Sequence, residues 1–193
     1  MIGSMDFDHA LFRADLDALP WPSYGHAYGS AEDVPGCLRA LAGDDDAAAD
    51  EAQSELYGSI LHQGSVYEAS AQAVPFLARI AAADIRTADV LLLIGGIAEG
   101  GEDPSPEAAD GPPAEAGDGS PAEAGDGLPA RVGGEAGESD EVACRRAVVA
   151  QLPLLLRVLD HQDRAVRQAA AWAAGWTGAA GAAAAVPALR DRA

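Results

Sequence analysis

Apolar residues recur along this chain at spacings of three and four, the period of helices rather than the alternation of strands. Four octets carry that pattern around a proline: VPGCLRAL at 34–41, VPFLARIA at 74–81, LPLLLRVL at 152–159 and VPALRDRA at 186–193. Aligned on Pro35, Pro75, Pro153 and Pro187, they place Cys37, Leu77, Leu155 and Leu189 two positions on. Arg39, Arg79 and Arg157 stand four positions on, with Asp191 in the fourth copy; Leu41, Ala81 and Leu159 stand six on. One helix face is specified each time. Behind the first octet, residues 43–64 predict a Gly-Asp turn and a second helix. Ala48, Ala52, Leu56 and Ile60 form its stripe, and Gly64 ends it in the left-handed conformation. Behind the third, Asp163 predicts the N-cap of a helix whose Val166, Ala170, Ala173 and Trp176 share a face. The unit is helix, acidic turn, helix.

The spacing of the units sets the class. Pro35 and Pro75 are 40 residues apart, and Pro153 and Pro187 are 34 apart. The middle interval of 78 contains a tract of 41 residues, 100–140, dominated by Gly, Pro, Glu and Asp; without it the interval is 37. Helix pairs at this period predict an α-solenoid. The chain divides into 1–99, a helical cap (DFDHALFRADLDAL, 6–19) plus two units; 100–140, an acidic insert; and 141–193, one unit plus the first helix of another. The insert includes an eight-residue tandem, PAEAGDGS and PAEAGDGL, over 113–128. Too few of its side chains can offset the entropy of ordering, so disorder is expected. Its Gly-Asp-Gly repeats lack the nine-residue period and apolar position of calcium-binding β-helix repeats, which leaves a spacer or an acidic recognition loop.

The prolines need a helical setting that tolerates them, because one in mid-helix costs about 3 kcal/mol. Ser65 and Glu68 form a capping-box pattern that starts a helix well before Pro75, so Pro75 bends or divides a long helix. EVACRRAVVAQLP, at 141–153, says the same of Pro153. Ser30 is placed to cap the first octet, with Pro35 in its first turn.

The third unit reads Leu-Pro, a leucine-rich helix, Asp160-x-x-Asp163, Ala165-Val166-Arg167 and an alanine-rich helix ending in glycine. It resembles a HEAT-like repeat. HAYGSAEDVP (26–35) and ELYGSILHQGSVYEASAQAVPFL (55–77) resemble a group of bacterial HEAT-repeat proteins of undefined function. The resemblance covers 18–98 and 141–193. It implies an all-α, right-handed solenoid of HEAT-like repeats, interrupted by the insert, with a concave face suited to a protein or peptide. It also implies that Asp163 and Arg167 form a structural ladder between neighbouring units.

Charge narrows the partners. The chain has 31 acids against 12 bases, all arginine, for a net charge of −19. Residues 1–98 carry −11, 99–141 carry −12 and 142–193 carry +4. Such a surface repels phosphate backbones, so nucleic acid is not an expected partner. Neither a signal-peptide pattern nor an apolar run of about 20 residues occurs, so a cytoplasmic protein without a membrane partner is expected. Cys37 and Cys144 read as small core residues.

The densest polar and aromatic text is at 55–70. His62, Gln63, Tyr67 and Glu68 fall at a helix–helix junction there, and Tyr28 lies in the N-terminal connection. These residues form a candidate partner site, or alternatively a structural junction in which Glu68 completes the capping box and His62 and Gln63 satisfy helix-end carbonyls. Trp172 and Trp176, on one face of a helix, are core residues packed on the next unit or an exposed aromatic anchor. No metal-ligand spacing, cofactor motif or catalytic order stands out; GGIAEGG lacks the strand-to-helix setting of a phosphate loop. The expected function is a non-enzymatic binding scaffold without cofactor. The alternative is an enzyme on the same scaffold, of DNA glycosylase or cofactor-attaching lyase type. A continuous arginine-lined groove distinguishes the glycosylase.

Overall fold

A computed structural model describes residues 7–100 and 138–190. The insert therefore lies outside the described residues except at its ends. Helices begin with α1 (His9–Asp17), followed by a 3-10 turn (Trp21–Ser23) and a hairpin of β1 (Gly25–His26) and β2 (Gly29–Ser30). Then come α2 (Val34–Leu41), α3 (Asp46–Ser59) and a second hairpin of β3 (Leu61–His62) and β4 (Ser65–Val66). The remainder is α4 (Glu68–Ala82), α5 (Thr87–Gly100), α6 (Asp140–Ala150), α7 (Leu152–Val158), α8 (Arg164–Gly175) and α9 (Gly178–Arg190). The all-α class holds; the two-residue strands are its only extended elements among the described residues.

Local chemistry accounts for most helix boundaries. Asp45 caps α3, its carboxylate accepting from the amides of Ala47 (3.1 Å) and Ala48 (3.2 Å). Asp163 caps α8 through Ala165 N–H at 2.8 Å, as the sequence predicts. Pro35 and Pro153 sit in the first turns of α2 and α7, where a missing amide costs nothing. Pro153 thus separates α6 from α7. Pro75 lies inside the continuous α4 with its ring on the exposed side.

Three expected caps fail. Ser30 belongs to β2, and Asp33 precedes α2. Ser65 belongs to β4 and Glu68 is the first residue of α4, so the Ser65–Glu68 capping box does not exist. Ser70 replaces it: its hydroxyl accepts from Tyr67 N–H (2.8 Å) and donates to Ile60 O (2.5 Å). Gly64 does not end α3. With Gln63 (φ 52°) and its own φ of 82°, it makes the two-residue turn of the second hairpin. Consecutive positive φ values suit the twist of such hairpins.

The helices pack as pairs, α2 on α3, α4 on α5 and α7 on α8. Adjacent pairs touch through α2–α4 and α5–α8, and α6 packs on α4 and α5. The buried core runs through all of them, from Phe12 and Leu16 of α1 to Ala173 of α8. Ala52, Leu56 and Ile60 are buried as predicted, with Ala49 taking the place expected for Ala48. Phe12, Trp21 and Phe76 fix the N-terminal cap on α4, and the Trp21 indole donates to Leu16 O at 2.8 Å.

The turns between paired helices are tied to one another. Arg86 donates to Leu41 O (3.2 Å), Gly43 O (2.9 Å) and the Asp46 carboxylate (2.5 Å), joining the α4–α5 turn to the α2–α3 turn. His161 contacts Asp84 at 3.1 Å, joining the α7–α8 turn to the α4–α5 turn. The bonds of Asp163 and Arg167 stay inside their own unit. Arg167 donates to His161 O and Gln162 O, both at 2.8 Å. The links between neighbouring turns are made by Arg86 and His161 instead, whose side chains reach across to the adjacent turn.

Candidate functional site

The two hairpins are built alike. Each ends its first strand on a histidine, His26 in β1 and His62 in β3, and each leads into a helix carrying a repeated proline. Ala27 N–H donates to Ser59 O at 3.0 Å, which ties the first hairpin to the end of α3 beside the second.

The equivalent histidines are used differently. His26 has a side chain 5% exposed. Its Nδ1 accepts from Tyr28 N–H at 3.0 Å, so Nε2 carries the hydrogen and donates to Asp33 at 2.9 Å. Both nitrogens are consumed in holding the hairpin to the start of α2. His161 repeats the arrangement: Nδ1 accepts from Asp163 N–H at 3.0 Å and Nε2 faces Asp84. In His62, Nδ1 lies 2.9 Å from Gly58 O, a carbonyl that only accepts. Nδ1 therefore bears the hydrogen, and the Nε2 lone pair has no donor among the described residues.

Tyr28 stands beside His62. Its hydroxyl is 3.3 Å from His62 Nδ1 and the rings meet edge to face at 5.4 Å. Its ring also lies 6.3 Å from that of His26. Yet Tyr28 is 73% exposed, the most exposed large hydrophobic among the described residues. The aromatic is held in place without being buried. His26 also lines an open cleft of about 290 Å³, together with Gly25, Tyr67, Glu68 and Asp140.

Of the sequence candidates, Tyr28 and His62 come into contact, and Tyr67 and Glu68 line the adjoining cleft. Gln63 is exposed at the hairpin turn and serves the backbone there. His62 satisfies one helix-end carbonyl, as its structural reading expects; Glu68 does not complete a capping box. Trp172 and Trp176 belong elsewhere. Trp172 lies over α5, where a Cβ on Gly95 would be 2.2 Å from its ring, and it remains 37% exposed. Trp176 caps the end of α8, half-buried against the core. The sequence marks His26 beside Tyr28 in the N-terminal connection, but Asp33 and Asp140 were not legible as site residues. A histidine seven positions before an aspartate has no recognisable pattern until a hairpin folds it back.

The electrostatics carry little reactivity. Burial, reinforced by a thiol hydrogen bond to Glu55 (3.1 Å), pushes Cys37 up to about 12. Burial, with Asp140 next, pushes Cys144 up to about 12 as well. Neither is an activated nucleophile. Of the four arginines in residues 1–98, three are in ion pairs: Arg39 with Asp17, Arg79 with Asp15 (2.6 Å) and Arg86 with Asp46. No continuous arginine groove forms in that region. Among the described residues, no group of three or more His, Cys, Asp or Glu is placed to hold a metal, and no helix is long and apolar enough to cross a membrane. Compared with protein-family models, curated proteins and solved structures, the chain gives no match.

Proposed function

We propose that this chain is a non-enzymatic protein- or peptide-binding scaffold, a HEAT-like solenoid that meets its partner at the hairpin edge around Tyr28 and His62. One observation carries the reading: a large aromatic is kept exposed and fixed in position by two histidines. Tyr side chains dominate many interfaces because they bury much area at small entropic cost, and a prepositioned one loses less still on binding. Sequential contact of the helix pairs, and their tied turns, support the solenoid. The ion-paired arginines of the first two units weigh against the glycosylase alternative, and the two raised thiols remove the cysteines as nucleophiles for a lyase.

The test is selection of peptides from a displayed library of random dodecapeptides on the immobilised full chain, followed by calorimetry of the enriched peptides. Tyr28→Ala is expected to weaken binding at least about tenfold, the range of an interface hot spot. Because Tyr28 is exposed, its removal leaves stability within about 0.5 kcal/mol. Enriched peptides that bind the variant as tightly as the native chain would displace the site.

A further inference from the structure

Among the described residues, four aspartates stand immediately before a helix, and one of them does not cap it. Asp8, Asp45 and Asp163 each accept from amides of the helix they precede, with ψ of 89°, 105° and 128°. Asp33 precedes α2 with φ −82° and ψ −30°, already helical, and its side chain makes no capping bond. A cap needs a non-helical backbone to turn its oxygen onto the first amides, so the Asp33 carboxylate is left to another partner. That partner is His26 Nε2, at 2.9 Å. The other nitrogen of the ring, Nδ1, accepts the Tyr28 backbone N–H at 3.0 Å. His161 is used from both sides in the same way, by the Asp163 amide and by Asp84. There the amide belongs to a helix cap. At His26 it belongs to the exposed aromatic of the hairpin edge.

We infer that Asp33 is a positioning residue for Tyr28, acting through His26 rather than by contact. A neutral imidazole has one hydrogen and one acceptor. By taking the hydrogen on Nε2, Asp33 keeps the Nδ1 lone pair turned to the Tyr28 amide. The His26 side chain is only 5% exposed, so water is a poor substitute for the carboxylate and an unpaired Nε2–H is costly there. Without Asp33 the ring loses one of its two anchors and the Tyr28 backbone loosens. The consequence for recognition rests on the reading of Tyr28 as the binding aromatic. A partner must then immobilise that side chain itself, which lowers affinity about two- to tenfold.

Hydrogen exchange of the Tyr28 amide, read by NMR on the full chain, tests the relay without any partner. Exchange should be slow in the native chain and at least about tenfold faster in Asp33→Ala. Asp33→Asn should restore it, because the amide oxygen still accepts from Nε2. Both variants remove the same charge, so the comparison separates the hydrogen bond from electrostatics. Asp45→Ala, which removes a helix cap, should leave the Tyr28 amide unchanged. The peptides selected above should bind Asp33→Ala about two- to tenfold more weakly, and Asp33→Asn as they bind the native chain. Unchanged exchange in Asp33→Ala, or equal loosening by Ala and Asn, would overturn the inference. Peptides that lose affinity for Tyr28→Ala but not for Asp33→Ala would overturn it too while leaving the binding reading standing. Exchange as expected with no peptide enriched sinks the binding reading and leaves Asp33 as the residue that positions Tyr28.

Discussion

At the scale of single residues, environment decides what a side chain can do. The cysteines are the clearest case: buried thiols with ionisation pushed up to about 12 remain protonated at neutral pH. Ellman's reagent at pH 7.5 should therefore label neither thiol of the folded chain within minutes and both in denaturant. Stability follows the same shift. An unfolded thiol ionises near its ordinary value of 9.0, whereas the folded one holds its proton to about 12. The folded state thus keeps this stability below pH 9 and loses it as pH rises towards 12, and thermal unfolding across that range should show a falling midpoint. Substituting Ala at both positions should flatten that fall. Arg86 tests the turns. Its side chain is 17% exposed and meets two carbonyls and a carboxylate. Arg86→Leu strands those acceptors and should cost about 1–3 kcal/mol in urea unfolding.

At the scale of elements, the glycines of α5 show how a sequence feature acquires its meaning. Read along the chain, GGIAEGG is only excluded as a phosphate loop. In the fold it is the surface on which other elements rest. Gly95 leaves room for the Trp172 ring, Gly96 for Leu61, and Gly100 for the Gly64 carbonyl and Val66. Gly95→Ala gains about 1 kcal/mol of helix propensity but drives a Cβ into the indole. Overpacking of that kind costs about 1–3 kcal/mol, so the net change should be zero to moderately destabilising, with a red shift of tryptophan emission as Trp172 is displaced. In a Trp172→Ala background the clash is gone, and the same change should stabilise by about 0.5–1 kcal/mol. The helices of this fold were largely legible beforehand, since a cap such as Asp163 acts on an amide only two positions away. The hairpins were not. Strands of two residues contain no periodicity, and Gln63-Gly64 resembles a helix end as readily as a turn.

At the scale of the whole molecule, the insert is the main question left by the charge distribution. Helix α6 packs on α4 and α5 through described residues alone. Replacing 101–137 with a short Gly-Ser linker should leave a single cooperative unfolding transition, with a midpoint changed by a few degrees. The deletion must stop there. Ser139 caps α6 through Val142 N–H at 3.4 Å and Glu138 pairs with Arg146 at 2.6 Å, so cutting into them removes about 1 kcal/mol of cap. Two transitions in calorimetry would show that the insert couples the two halves.

The sequence by itself determined the helical class, the succession of paired helices, the first-turn place of Pro35, the break at Pro153 and the cap at Asp163. Each depends on forces acting within a turn or two of one helix, and such forces leave a period or a neighbour to read. Only the tertiary structure decided which histidines are used up and which keeps an open nitrogen, and that Tyr28 stands against His62, 34 positions away. It also decided that His161 reaches Asp84 across 77 positions and that Trp172 lies over α5. These outcomes depend on which surfaces meet when buried area is maximised, and a contact between distant positions leaves no local trace in either.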